Sequence, residues 1–309
     1  MGNAKHRVIF DTDIGTDVDD ILALAVLLGS DDVTIEGVTT VYGDVDLRAR
    51  MVSKLLNLRG IDSVPVCSGI RNPLLNLDPI FWPGHEGVGL LEEVDTDASP
   101  LQVERHAVDY IIQTVMQNSG EMTLLAVGPL TNIAVALVRE PALASSLKRL
   151  VIMGGRLGIP AGTRGMAEHN IKCDPESAHN VLSSGAPIEL VPLDVTLRAI
   201  VRQDGVEKLH DRKSPYHSAL ATQLALYPGF IERGGETFLH DPLAALAVVR
   251  PDLLTWTELP VAVALHGSAT RGMTYTPQSN DALQQSTISV ALELDIPACE
   301  QEILSRMCR

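Results

Sequence analysis

Five carboxylates fall within ten residues near the start of the chain: Asp11, Asp13, Asp17, Asp19 and Asp20. Like charges at that density stay ionised together only if positive charge sits among them; otherwise their pKa values rise. No Lys or Arg stands between Arg7 and Arg48, so the stretch supplies no counter-charge of its own. Donors that are all oxygen suit a hard divalent cation, Ca²⁺ or Mg²⁺. An acidic surface loop with helix-capping duty is the plain alternative. Surface acids seldom crowd against buried apolar segments, however, and these are framed by Val8-Ile9-Phe10 and by Ile21-Leu22-Ala23-Leu24-Ala25-Val26-Leu27-Leu28.

Those flanks say what must hold the acids in place. The first apolar run reads as a buried strand, and the second is too apolar for an exposed helix and right for a covered one. The acids then sit at the carboxyl end of a strand, where open α/β sheets bind ligands. The alternation continues. VTIEGVTTV over 33–41 is a second buried strand, ended by Tyr42-Gly43-Asp44, with a helix over about 45–58 after it. Val64 to Cys67 and Met122 to Val127 read as further strands, the second ended by Gly128-Pro129-Leu130-Thr131-Asn132. Leu150 to Met153 runs into Gly154-Gly155, and Ile188 to Leu193 into Asp194-Val195-Thr196. Asp174-Pro175-Glu176 opens a helix with Asp as cap and Pro at its first position, and His240-Asp241-Pro242 repeats the pattern. Residues 201–238 read as irregular helix, and 261–265 and 288–294 as late strands. Strand and helix in alternation indicate an α/β fold, an open and mostly parallel Rossmann-like sheet with helices on both faces. With no internal repeat or linker, the expectation is one domain over 1–309.

Composition narrows the partners. The 309 residues carry 24 basic and 39 acidic side chains, a net charge of −15. That balance argues against nucleic acid and anionic membrane. No apolar run reaches membrane-spanning length. Cys67, Cys173, Cys299 and Cys308 form no CxxC or Cys/His spacing, which argues against zinc and fits reduced thiols in a cytoplasm. The chain runs from Met1 almost directly into its first strand, so no signal peptide is expected. Residues 68–100 lack periodicity but hold Phe81-Trp82-Pro83-Gly84-His85-Glu86-Gly87, and long loops of this kind are commonly functional.

Six segments together resemble the nucleoside hydrolases of the inosine–uridine-preferring type. They are the acidic opening, Val127-Gly128-Pro129-Leu130-Thr131-Asn132, Met153-Gly154-Gly155, Ala167-Glu168-His169-Asn170, His240-Asp241-Pro242 and Thr270-Arg271-Gly272-Met273-Thr274. They occur in family order, across nearly the whole chain. The resemblance implies hydrolysis of the N-glycosidic bond of ribonucleosides, with one tightly held Ca²⁺. By it, Asp13 is the general base and touches the metal. Asp20, Asp241 and the carbonyl of Val127 are further metal ligands. Asp19 holds the ribose 2′-hydroxyl, Glu168 and Asn170 contact ribose hydroxyls, and His240 stands near the leaving base, with Tyr227 or His217 as alternatives there. Asp44, His85, Met153 and Tyr227 complete the implied substrate contacts. It also implies purine or pyrimidine salvage and a homodimer or homotetramer.

This chain departs from the family pattern in three places. Two residues are added before Asp19-Asp20, which makes Asp17 a rival ligand. Asp44 stands where the family usually has Asn, and an ionised acid cannot donate a hydrogen bond. Gly162 stands where the family has an Asn, which leaves Thr163 or Arg164 to serve the 5′-hydroxyl. Two rival readings remain. One is a haloacid-dehalogenase-like, Mg²⁺-dependent phosphatase with Asp11 as nucleophile. The other is a Ca²⁺-dependent nucleoside-binding protein without turnover. Base preference is expected to lie in residues 76–90 and 210–236.

Overall fold

The computed structural model describes residues 6–75, 77, 80–92, 95, 103–158, 167–277 and 287–309. In chain order these form β1 (His6–Thr12), α1 (Asp19–Leu28), β2 (Val33–Thr40), α2 (Val45–Leu58), β3 (Val66–Ser68), α3 (Ala107–Gln117), β4 (Met122–Ala126), α4 (Thr131–Arg139), α5 (Leu143–Ser146), β5 (Arg149–Met153), α6 (His169–Cys173), α7 (Pro175–Leu182) and β6 (Ile188–Val191). The chain continues with α8 (Leu193–Thr196), β7 (Ile200–Arg202), α9 (Gln203–His210), α10 (Pro215–Leu226), α11 (Pro228–Glu232), β8 (Glu236–Phe238) and α12 (His240–Val249). It ends with β9 (Leu254–Pro260), β10 (Ala262–Val263), β11 (Thr274–Tyr275), β12 (Thr287–Leu294) and α13 (Ile296–Met307).

Eight strands make the main sheet, in the order β3-β2-β1-β4-β5-β6-β12-β9. All neighbours are parallel except β12 and β9. β1 lies between β2 and β4, so the chain order reverses across β1, and the crevice at the carboxyl ends of β1 and β4 is the topological switch point. Side chains alternate across a strand. Val8 and Phe10 enter the core under α1 and α12, and Ile9 enters the opposite core under α3 and α4. Both faces are therefore covered, as parallel strands require. Helix α1 is buried on nearly every side and packs against α12 and α13, which explains its unbroken apolar sequence.

Some elements differ from the sequence expectation. Residues 254–260 form an antiparallel edge strand that their own pattern does not announce. The segment expected as a strand over 261–265 contributes only Ala262 and Val263, in a two-stranded ribbon with Thr274 and Tyr275. Residues 201–238 hold α9, α10 and α11 framed by the antiparallel pair β7 and β8. Among the described residues no helix is long and apolar enough to cross a membrane, and all four cysteines are free.

Candidate active site

The acidic loop leaves β1 at Thr12 and turns at Gly15. The turn needs glycine there: φ is +114°, and a Cβ would meet Met51 Sδ at 2.9 Å. Thr12 Oγ1 accepts from Ile14 N at 3.1 Å and donates to the Asp20 carboxylate. Beneath the loop lies Arg48, fully buried. Its guanidinium donates to the carbonyls of Ile14 and Tyr42, both at 2.7 Å, and to Thr16 Oγ1 at 2.9 Å. The sequence showed no cation within the acidic stretch; the fold brings one back from α2. Its charge acts on Asp13 and Asp20, lowering the pKa of each against the upward push of burial.

Asp19 and Asp20 occupy the first turn of α1, and Asp241 the first turn of α12. Both helix N-termini favour anions, and because α1 packs on α12 they converge. Asp241 N donates to Asp19 Oδ2 at 3.4 Å. Carboxylate oxygens of Asp19, Asp20 and Asp241 lie within 4.8 Å of one another, and all three side chains are buried. Burial, and then repulsion from neighbouring acids, Asp13 and Asp17 among them, pushes each well above the ordinary carboxylate range. Burial also raises Asp13. Its Oδ1 sits over Gly128, where a Cβ would approach to 2.8 Å, so the glycine after β4 makes room for the acid after β1. Buried carboxylates converging on one point, with donors that are all oxygen, fit a hard divalent cation. The close trio includes Asp19, which the resemblance gives to the ribose rather than to the metal. Asp13 adjoins the trio, and its charge raises the pKa of all three members.

A cleft of about 610 Å³ opens over these acids. Asp13, Asp17, Asp19, Asp20, His85, Val127, Met153, Glu168, Asn170, Tyr227, His240 and Asp241 all line it. Glu168 caps α6: its carboxylate accepts from the backbone N–H groups of Gly155, Asn170 and Ile171 at 3.0, 2.8 and 3.1 Å. Asn170 Nδ2 donates to the Val127 carbonyl at 2.6 Å. His85 Nε2 donates to the Thr16 carbonyl at 3.1 Å, tying the 80–91 loop to the acidic loop. His240 Nδ1 hydrogen-bonds with Thr196 Oγ1 at 2.7 Å, and burial depresses its pKa to about 4. Asp17 accepts from Val18 N at 2.6 Å and from the Tyr227 hydroxyl.

Three expected residues lie elsewhere. Asp44 caps α2, accepting from Leu47 N at 3.1 Å, and does not line the cleft. Asp11 is fully buried beneath the loop, where it accepts from Thr39 Oγ1 and from Asn132 Nδ2 at 2.8 Å. A nucleophile must face its substrate, so the phosphatase reading loses its key residue. His217 is buried in α10 against Ser214 and does not line the cleft. Gly162, Thr163 and Arg164 lie outside the described residues. The sequence did not single out Thr196, Asn132 or Arg48 for these contacts. Asn132 stands in the first turn of α4, just after β4, and Thr196 closes the short helix α8 that follows β6; such positions just past strand ends could have marked them.

The fold and cleft define a doubly wound α/β protein with a carboxylate-lined ligand site at its switch point. Comparison with known proteins gives the family. The inosine-uridine preferring nucleoside hydrolase profile matches residues 8–301, and the chain belongs to that family. The non-specific ribonucleoside hydrolase RihC of Salmonella agona (strain SL483) is 35% identical over 303 residues, covering 96% of each chain. Uridine nucleosidase 1 of Arabidopsis thaliana is 31% identical, over 99% of this chain and 94% of its own. The solved structure of a purine-preferring ribonucleoside hydrolase from Gardnerella vaginalis superposes with a TM-score of 0.88 at 30% identity, over 98% of both chains.

Proposed function

We propose that the cleft hydrolyses the N-glycosidic bond of ribonucleosides to ribose and free base, in a Ca²⁺-dependent reaction with Asp13 as general base. The observation that carries this reading is the convergence of Asp19, Asp20 and Asp241 within 4.8 Å, in a cleft that Asp13 also lines. Breaking the ribosyl C–N bond builds positive charge on the sugar, as in other glycoside hydrolyses, and a wall of buried acids stabilises that charge. Asp13 takes the proton of the water that attacks the anomeric carbon. Asp13, Asp20, Asp241 and the Val127 carbonyl would hold Ca²⁺, which when bound supplies a lowered water pKa and an anchor for the ribose hydroxyls. Asp19, Glu168 and Asn170 orient the ribose. His240 faces the leaving base as a neutral imidazole, so it assists departure by hydrogen bonding.

Base preference follows neither from the cleft nor from the relatives, whose names differ: one uridine-directed, one purine-preferring, one non-specific. The substrate class is therefore ribonucleosides. A cytoplasmic salvage role in a homodimer or homotetramer, with each chain one domain, completes the proposal, and four free cysteines are consistent with that compartment. Asp13→Ala tests it: turnover should fall about 10²- to 10⁴-fold, the usual contribution of a general base, while the circular dichroism spectrum shows the fold intact. Near wild-type turnover would remove Asp13 from the role.

A further inference from the structure

A second, smaller cavity of about 120 Å³ adjoins the cleft. Val18, Ile21, Val88 and Leu226 give it apolar walls. Asp17, His85 and Tyr227 line both spaces, so they stand between them. The Tyr227 hydroxyl donates to Asp17 Oδ2, while Asp17 Oδ1 accepts from Val18 N at 2.6 Å. Both oxygens of Asp17 are thus occupied, and the ring of Tyr227 is fastened at its hydroxyl end. Tyr227 is also the single residue between α10 and α11. Gln223 Nε2, one turn earlier in α10, donates to the Val88 carbonyl at 2.9 Å. Three segments therefore meet at this point: the acidic loop, the 80–91 loop and the α10–α11 joint.

We propose that the Asp17–Tyr227 pair is a partition that excludes enlarged bases from the cleft, and that the cavity behind it is a cryptic subsite for an apolar base substituent. The proposal rests on the ribonucleoside-hydrolase reading and adds a size limit to it. Taking about 30 Å³ for one water-sized group, the cavity holds roughly four non-hydrogen atoms. Its apolar walls select the substituent: an alkyl chain gains by covering them, and a charged group finds no partner among Val18, Ile21, Val88 and Leu226.

The test compares N6-butyladenosine with adenosine, and 5-butyluridine with uridine, by ribose release, using whichever parent nucleoside the wild type turns over; the four-carbon chain matches the cavity. The readout is the ratio of their kcat/KM values in wild type, Tyr227→Phe, Asp17→Ala, the double variant and Tyr227→Ala. The wild-type ratio should be low. Tyr227→Phe and Asp17→Ala should each raise it about threefold by loosening one hydrogen bond, and the double variant should go no further than either single. Tyr227→Ala should raise it about tenfold or more, the range set by a few methylenes in an apolar pocket. Val88→Phe, which fills the cavity from its exposed side, should reverse that gain. If Tyr227→Ala does not fold, the other variants still decide. Wild type that accepts both substrates equally, or a ratio unmoved across the variants, overturns the partition while leaving the hydrolase reading intact. No ribose from any nucleoside overturns both.

Discussion

Asn170 Nδ2 donates to the carbonyl of Val127 at 2.6 Å, joining α6 to the end of β4 across the floor of the cleft. The same amide reaches the Met153 carbonyl at 3.3 Å, at the end of β5. One side chain thereby sets the spacing of two strand ends, beside the carbonyl assigned to the cation. Asn170→Asp replaces the donor with an acid that cannot donate when ionised. We expect kcat/KM to fall about 10- to 100-fold, on the scale of a buried hydrogen bond lost with its partner left unsatisfied, together with weaker Ca²⁺ binding. Unchanged Ca²⁺ affinity by titration calorimetry would separate Asn170 from the Val127 carbonyl.

His240 is held by Thr196 at Nδ1 and is depressed to about 4 by burial, so it stays neutral at physiological pH. A hydrogen bond from it matters for a base that leaves with difficulty, and little for one that leaves as a stable anion. His240→Ala should lower kcat on inosine by about 10²-fold or more, the low end for loss of proton or hydrogen-bond assistance, and lower it much less on p-nitrophenyl riboside. Equal losses on the two substrates would take His240 out of leaving-group assistance.

Much of this arrangement was legible in the sequence, for identifiable reasons. β1 and α1 announce themselves because both are covered on all sides, so their apolar runs are unbroken. The acids were conspicuous because nothing basic interrupts them. The grouping of Asp19, rather than Asp13, with Asp20 and Asp241 was not legible. It depends on the turn at Gly15 and on the packing of α1 against α12, which are tertiary facts. Arg48 was invisible for the same reason: it reaches the loop from α2, 28 residues beyond Asp20 in the chain. Asp44 entered through the resemblance, at a position where the family usually has Asn; its capping of the helix that starts at Val45 is a local role that the resemblance does not carry. β9 escaped notice because an edge strand over LTWTELP, half polar and ending in Pro, is defined mainly by its partner β12.

The acids also predict how pH and Ca²⁺ act together on stability. Burial raises Asp11 to about 7 and raises Asp13, Asp19, Asp20 and Asp241 as well. Without a cation, the fold then binds more protons than the unfolded chain between the ordinary Asp value of about 3.9 and the raised values. Stability falls as pH rises through that window, from about 4 to about 7 and above. Ca²⁺ needs the ionised forms, so its binding releases protons and strengthens with pH. Saturation at a thousandfold excess over Kd contributes about 4 kcal/mol. After chelator stripping, the rise in melting temperature on adding Ca²⁺ should be several degrees larger at pH 8 than at pH 5. An equal rise at both would show that these carboxylates do not hold the ion.

The most direct measurement is ribose release from inosine, adenosine, guanosine, uridine and cytidine by protein stripped with EGTA until its calcium content is negligible, and then by the same protein with Ca²⁺ restored. Free ribose is expected from at least one nucleoside, lost on stripping and regained with Ca²⁺. Undiminished release from fully stripped protein, or no ribose from any nucleoside with Ca²⁺ present, would contradict it.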